Sequence, residues 1–91
     1  MQQIQASHIL VPSLVAATDL LAKLKDGGDF AELASNYSTC PSGKQNNGSL
    51  GSFGKGQMVP EFQDAAFALE IGALSEPVET QFGWHLIQRT A

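Results

Sequence analysis

The chain has 91 residues, of which 43% are hydrophobic and 15% charged, a balance that suits one folded domain and excludes both a disordered chain and a multidomain one. A domain this small buries only about 60–65% of its unfolded-state surface, so its core has to be efficient. The net charge is −4, and the five cations Lys23, Lys25, Lys44, Lys55 and Arg89 are scattered. That argues against nucleic acid or an anionic membrane as a partner, since both call for clustered Lys and Arg.

Residues Gln3 to Val11 alternate, with Ile4, Ala6, His8 and Leu10 on one face and Gln3, Gln5, Ser7 and Ile9 on the other, as in a strand lying on a core. Pro12 ends it. Ser13 can cap a helix whose Leu14, Ala17, Leu20, Leu21 and Leu24 form one apolar stripe, and Gly27-Gly28 stops that helix. Asp29 with Glu32 three residues on makes a capping-box-like start for a second helix, with Phe30, Leu33, Ala34 and Tyr37 on its apolar side. The two helices are expected to form a hairpin.

From Ser38 to Gly48 the composition turns to Ser, Thr, Asn, Gly and Pro, which favour local turns over ladders. A short strand follows over Leu50 to Phe53. Pro60 suits a first helical position, with Phe62, Ala65, Ala66 and Leu69 on the buried side of a helix expected to end at Gly72. Pro77 introduces a strand through Val78 and Thr80, Gln81-Phe82-Gly83 turns the chain, and Trp84 to Arg89 closes the sheet. There is no internal repeat or linker. The expected class is α+β, a single domain over 1–91 with helices packed around a small, mainly antiparallel sheet.

The start, Met1-Gln-Gln-Ile-Gln-Ala6, has neither the basic residues nor the apolar run of a signal peptide, and no stretch approaches the roughly 18 apolar residues of a membrane span. The expectation is a cytoplasmic protein. Cys40 is the only cysteine, which excludes an internal disulfide and any multi-cysteine metal site.

Five segments carry a family resemblance: Ala6-Ser-His-Ile-Leu-Val11, Cys40-Pro-Ser-Gly-Lys44, Gly48-Ser-Leu-Gly-Ser-Phe53, Gly54-Lys-Gly-Gln-Met-Val-Pro-Glu-Phe62 and Gln81-Phe-Gly-Trp-His-Leu-Ile87. In this order and at this spacing the chain resembles the parvulin family of peptidyl-prolyl cis/trans isomerases across nearly its whole length. The resemblance implies a four-stranded sheet surrounded by helices and a reaction in which no bond is made or cut. Rotation about an Xaa-Pro bond is slow because amide resonance must be broken, with a barrier of about 18–20 kcal/mol. A site for it needs an apolar cup for the proline ring and a few fixed polar groups. It needs no metal and no cofactor.

Leu50, Met58, Phe62 and Phe82 match the apolar positions that line the proline pocket in that family. Apolar residues more often simply fill a core, but the glycines around Gln57 and Met58 open a loop where a closed core would want a longer helix. His8 and His85 match the family's paired histidines on neighbouring strands; each lies on the inward face of its alternation, and Thr80 is placed to bond the pair. A strand histidine of this kind serves structure as often as catalysis. Cys40 stands at the family's cysteine position, where we expect a thiol acting electrostatically on the substrate carbonyl, with a small buried hydrophobe as the bland counterpart. Gln57 is the expected side-chain donor to a substrate carbonyl; Ser42 and the backbone around Leu50 are weaker candidates.

The phosphate-directed branch of the family carries Lys and Arg after its first histidine strand, whereas this chain has Val11-Pro-Ser-Leu-Val-Ala-Ala17 there. The expected substrates and partners are therefore non-phosphorylated, proline-containing polypeptides bound by a monomer. A peptide-binding or chaperone module using the same groove without turnover is the rival, and a Cys–His hydrolase is disfavoured because no acidic or amide group is apparent to orient either histidine.

Overall fold

The structure, a computed structural model, describes residues 3–39 and 48–91. Its elements follow the sequence patterning in order: β1 (Gln3–Val11), α1 (Leu14–Lys25), α2 (Phe30–Tyr37), β2 (Ser49–Gly54), α3 (Pro60–Ala68), β3 (Val78–Thr80) and β4 (Gly83–Arg89). Both predicted caps form, each satisfying an otherwise unpaired backbone donor. Ser13 Oγ accepts from Ala16 N–H at 3.1 Å, and Asp29 Oδ1 accepts from Ala31 N–H at 3.1 Å.

The four strands make one sheet in the order β2-β1-β4-β3, with every pairing antiparallel. Both faces are covered. On one, Ile9, Val11 and Leu86 pack under α1 and α2 through Ala17, Leu20, Leu21, Leu24, Phe30 and Ala34. On the other, Ile4, Ala6, Phe53 and Ile87 pack under α3 through Phe62 and Ala66. Because side chains alternate along a strand, His8 shares the α3 face with Ile4 and Ala6, and His85 shares it with Ile87.

The β1–β2 ladder shifts register between Gln5 and Ser7 and reaches only to Ser7↔Ser49. Beyond that point β1 stays paired with β4 on one edge, while its other edge takes partners from outside the strands. His8 N–H donates to Gly48 O at 2.8 Å, Leu10 N–H donates to Ser38 Oγ at 3.1 Å, and Thr39 N–H donates to Leu10 O at 2.7 Å. Gly48 is needed at this junction: its φ is +87°, and a Cβ there would stand 2.7 Å from His8 O, against backbone that cannot yield. These contacts hold Thr39 and Gly48 against the half of β1 that carries His8 and Leu10.

One predicted boundary is wrong. The apolar spacing carries α3 through Leu69 to Gly72, but the helix ends at Ala68, and Leu69 is its extended C-cap (φ −76°, ψ 145°). Leu69 N–H closes on Ala66 O at 3.2 Å, and Leu69 O is taken by Arg89 Nη1 at 2.9 Å. A cation from β4 thus satisfies a carbonyl that a further helical turn would have used. Among the described residues no helix is long and apolar enough to cross a membrane.

Candidate active site

Strand register brings the histidines together. Leu10 lies opposite His85, and His8 opposite Ile87, so His8 and His85 are diagonal neighbours on one face. Their Nδ1 atoms are 3.1 Å apart, and their ring planes are only 18° from parallel. At that distance one Nδ1 must donate and the other accept, which excludes both rings carrying an Nδ1 proton. The next link is also diagonal: Val78 pairs with His85 and Thr80 with Gly83, which puts Thr80 Oγ1 at 2.8 Å from His85 Nε2. Thr80 Oγ1 also accepts from Phe82 N–H at 3.2 Å, tying the turn that carries Phe82 to the same chain of bonds.

Burial keeps this pair neutral. His8 and His85 are each 5% exposed, and among the described residues His8 Nε2 has no partner. The pKa of His8 is lowered from 6.5 to about 4, first by desolvation of the charged form and then by the neighbouring His85; that of His85 is lowered by burial alone. A protonated His8 would present a buried Nε2–H with no acceptor among the described residues.

Above the pair lies a cavity of about 460 Å³ lined by His8, Leu10, Thr39, Leu50, Gln57, Met58, Val59, Phe62, Phe82 and His85. Phe62 is its floor. It is 3% exposed and sets its ring edge-on to both histidines, 5.6 Å from His8 and 5.2 Å from His85 between centroids. Phe53 backs it at 6.1 Å. Phe82 stands at the rim, 62% exposed. Among the described residues no Lys or Arg lines the cavity. Lys23 and Lys55 lie over the Tyr37 and Phe67 rings, Lys25 pairs with Glu76, and Arg89 bonds the Leu69 and Ala91 carbonyls.

The structure therefore gathers His8, Leu50, Gln57, Met58, Phe62, Phe82 and His85 around one cavity, with Thr80 directly behind. Cys40 and Ser42 lie outside the described residues. Gln57 lines the cavity; its Oε1 accepts from Gly54 N–H at 2.6 Å, which leaves its amide nitrogen, the donor, to face a substrate. Met58 shares the wall with Phe62 from the loop before α3, not from a common helix. Three lining residues were given no site role by sequence reasoning: Leu10, Thr39 and Val59. Leu10 was legible as inward-facing from its alternation. Thr39 and Val59 lie in irregular chain, where only the position next to Cys40 and next to Met58 pointed to them.

The PPIC-type PPIase domain model, named Rotamase, matches residues 13–91. The chain belongs to that family. The family is that of PPIC-type peptidyl-prolyl isomerase domains. It is 56% identical over 85 residues to the foldase protein PrsA of Halalkalibacterium halodurans, covering 93% of this chain and 26% of that protein. Among solved structures, the peptidylprolyl isomerase PrsA from Bacillus anthracis matches with a TM-score of 0.96 and 43% identity, over 98% of this chain and 41% of that one. The parvulin NmPin of Nitrosopumilus maritimus matches with a TM-score of 0.90 and 43% identity, over 100% and 98% of the two chains. The rotamase domain thus spans about a quarter to a third of the curated relatives it resembles and nearly the whole of the single-domain parvulin.

Proposed function

We propose that this domain isomerises non-phosphorylated Xaa-Pro bonds in proline-containing polypeptides and so assists their folding, as the name foldase given to its relatives suggests. The observation that carries the reading is the apolar cavity closed beneath by Phe62 and a neutral histidine pair. A planar amide owes part of its stability to charge separation between nitrogen and oxygen, and twisting removes that charge separation. A water-free, uncharged cup therefore disfavours the planar form relative to the twisted one. Leu50, Met58, Phe62 and Phe82 would hold the proline ring, and the Gln57 amide nitrogen would donate to a substrate carbonyl. His8, His85 and Thr80 would fix the polarity of the floor, and the Cys40 thiol would act on the carbonyl electrostatically. None of these roles requires a nucleophilic attack.

Exchange spectroscopy on short Xaa-Pro peptides tests this directly. Catalytic amounts of protein should accelerate cis/trans exchange without added metal or nucleotide. Line shapes unchanged at equimolar protein would refute isomerisation, and binding without exchange would favour a groove that only captures peptides.

Charge bears on the substrate. A phosphate carries about −1.5 to −2 charges at pH 7, and among the described residues the cavity lining offers it no cation, while the chain as a whole is at −4. A phosphoserine before proline should therefore give kcat/KM equal to or below that of Ala or Leu at the same position. A several-fold preference for the phosphopeptide would assign the domain to the other substrate class.

A further inference from the structure

Between the end of β2 and the start of α3 the chain passes through Lys55, Gly56, Gln57, Met58 and Val59, and three of these line the cavity. Such a short irregular segment has few ladder bonds of its own, and Gly56 turns it with a φ of +92°, where a side chain would be strained. Two glutamines close it. Gln57 Oε1 accepts from Gly54 N–H at 2.6 Å, and Gln63 Oε1 accepts from Gly56 N–H at 2.5 Å.

Gln63 does not line the cavity. It sits in the first turn of α3, half-buried, where its own N–H bonds Val59 O at 2.9 Å. Val59, the N-cap of α3, has no side chain able to cap and makes no such bond. Gln63 therefore holds the loop twice, by its backbone at Val59 and by its side chain seven residues back at Gly56. Its neighbour Phe62 is the cavity floor. The same turn of helix thus fixes the floor and, through Gln63, the height of the Gln57–Met58–Val59 wall above it.

We propose that Gln63 is a positioning residue for the isomerase site, acting through Met58 and Val59 by latching the loop to α3. The proposal rests on the reading that this cavity receives the proline. Without the latch the loop samples positions in which the wall stands away from the floor. Only the closed fraction then binds substrate, and apparent affinity falls by that fraction while the bound complex reacts as before. The effect belongs in KM rather than kcat.

The test compares Gln63→Leu, which keeps length and helix propensity but removes the acceptor, with Gln63→Glu, whose carboxylate can still accept from Gly56 N–H. Gln63→Leu should raise KM for a neutral Xaa-Pro peptide about three- to tenfold, with kcat changed less than twofold. It should also speed hydrogen exchange at the Gly56 amide, and Gln63→Glu should restore both. An unchanged KM and unchanged Gly56 exchange in Gln63→Leu would overturn the latch, as would a failure of Gln63→Glu to restore either. Unmodified protein is run alongside. If it fails to catalyse exchange, the isomerase reading fails separately, and the latch is then judged by Gly56 exchange and by peptide Kd from chemical-shift titration.

Discussion

Phe62→Ala should lower kcat/KM by on the order of 10- to 100-fold, more than Cys40→Ser does, and should also be the most destabilising single change at the site. The two effects share one geometry. Phe62 is 3% exposed, contacts both histidine rings edge-on and is backed by Phe53. Truncation opens the floor of the cup to water, which restores the solvation that favours a planar amide, and leaves two imidazoles without the ring that packs against them. Removing a buried phenyl typically costs about 3–5 kcal/mol, a large share of the about 5–14 kcal/mol expected for a domain of this length.

Phe62→Leu is therefore the companion variant. It keeps an apolar floor, should remain folded by circular dichroism, and should lose activity to an intermediate degree. Cys40→Ser retains size and hydrogen bonding and should keep most of the rate. The reverse ranking, with Phe62→Leu fully active and Cys40→Ser dead in a folded protein, would demand covalent chemistry at Cys40.

The elements were legible wherever the deciding contacts are local. Ser13 and Asp29 cap the helices they precede, Gly27 and Gly28 end α1, and Pro60 occupies the first position of α3, each by a preference that acts within a few residues. Alternation alone placed His8 and His85 on a shared face. What it could not supply was the register Leu10↔His85 that makes the two rings diagonal neighbours and lets their Nδ1 atoms meet.

The misreadings have the same origin. Leu69 continues the apolar spacing of α3, yet the helix stops before it because Arg89, twenty residues on, takes its carbonyl. Thr39 reaches the cavity because it and Ser38 replace a strand partner beside Leu10. That substitution joins residues 28 to 29 positions apart, and no local pattern signals it.

Stability should fall steeply between pH 6.5 and 4, and His8 should be the main titrating cause. In the folded state its pKa is lowered from 6.5 to about 4 by burial and by His85, whereas in the unfolded chain it titrates at its ordinary value. Below pH 6.5 the unfolded state therefore binds a proton that the folded state refuses, and the equilibrium moves towards unfolding. The loss is complete once pH passes below the folded value. A lowering of this size corresponds to about 3 kcal/mol, at about 1.4 kcal/mol per pKa unit. For a domain of this length that is a fall of about 10–25 °C in Tm. His85, lowered by burial in the same direction, adds to the fall. Thermal unfolding followed from pH 7.5 to 4, with the His8 ring proton shifts recorded by NMR in parallel, checks both halves. His8 should show no inflection between pH 5.5 and 7, and replacing it by Gln should flatten the dependence of Tm on pH. A wild-type Tm that holds steady down to pH 4.5, or a His8 ring that titrates near 6.5 in the folded protein, would mean that the histidine pair accommodates a proton. The floor of the cavity would then be cationic under mildly acidic conditions rather than the uncharged surface that isomerisation by an apolar cup requires.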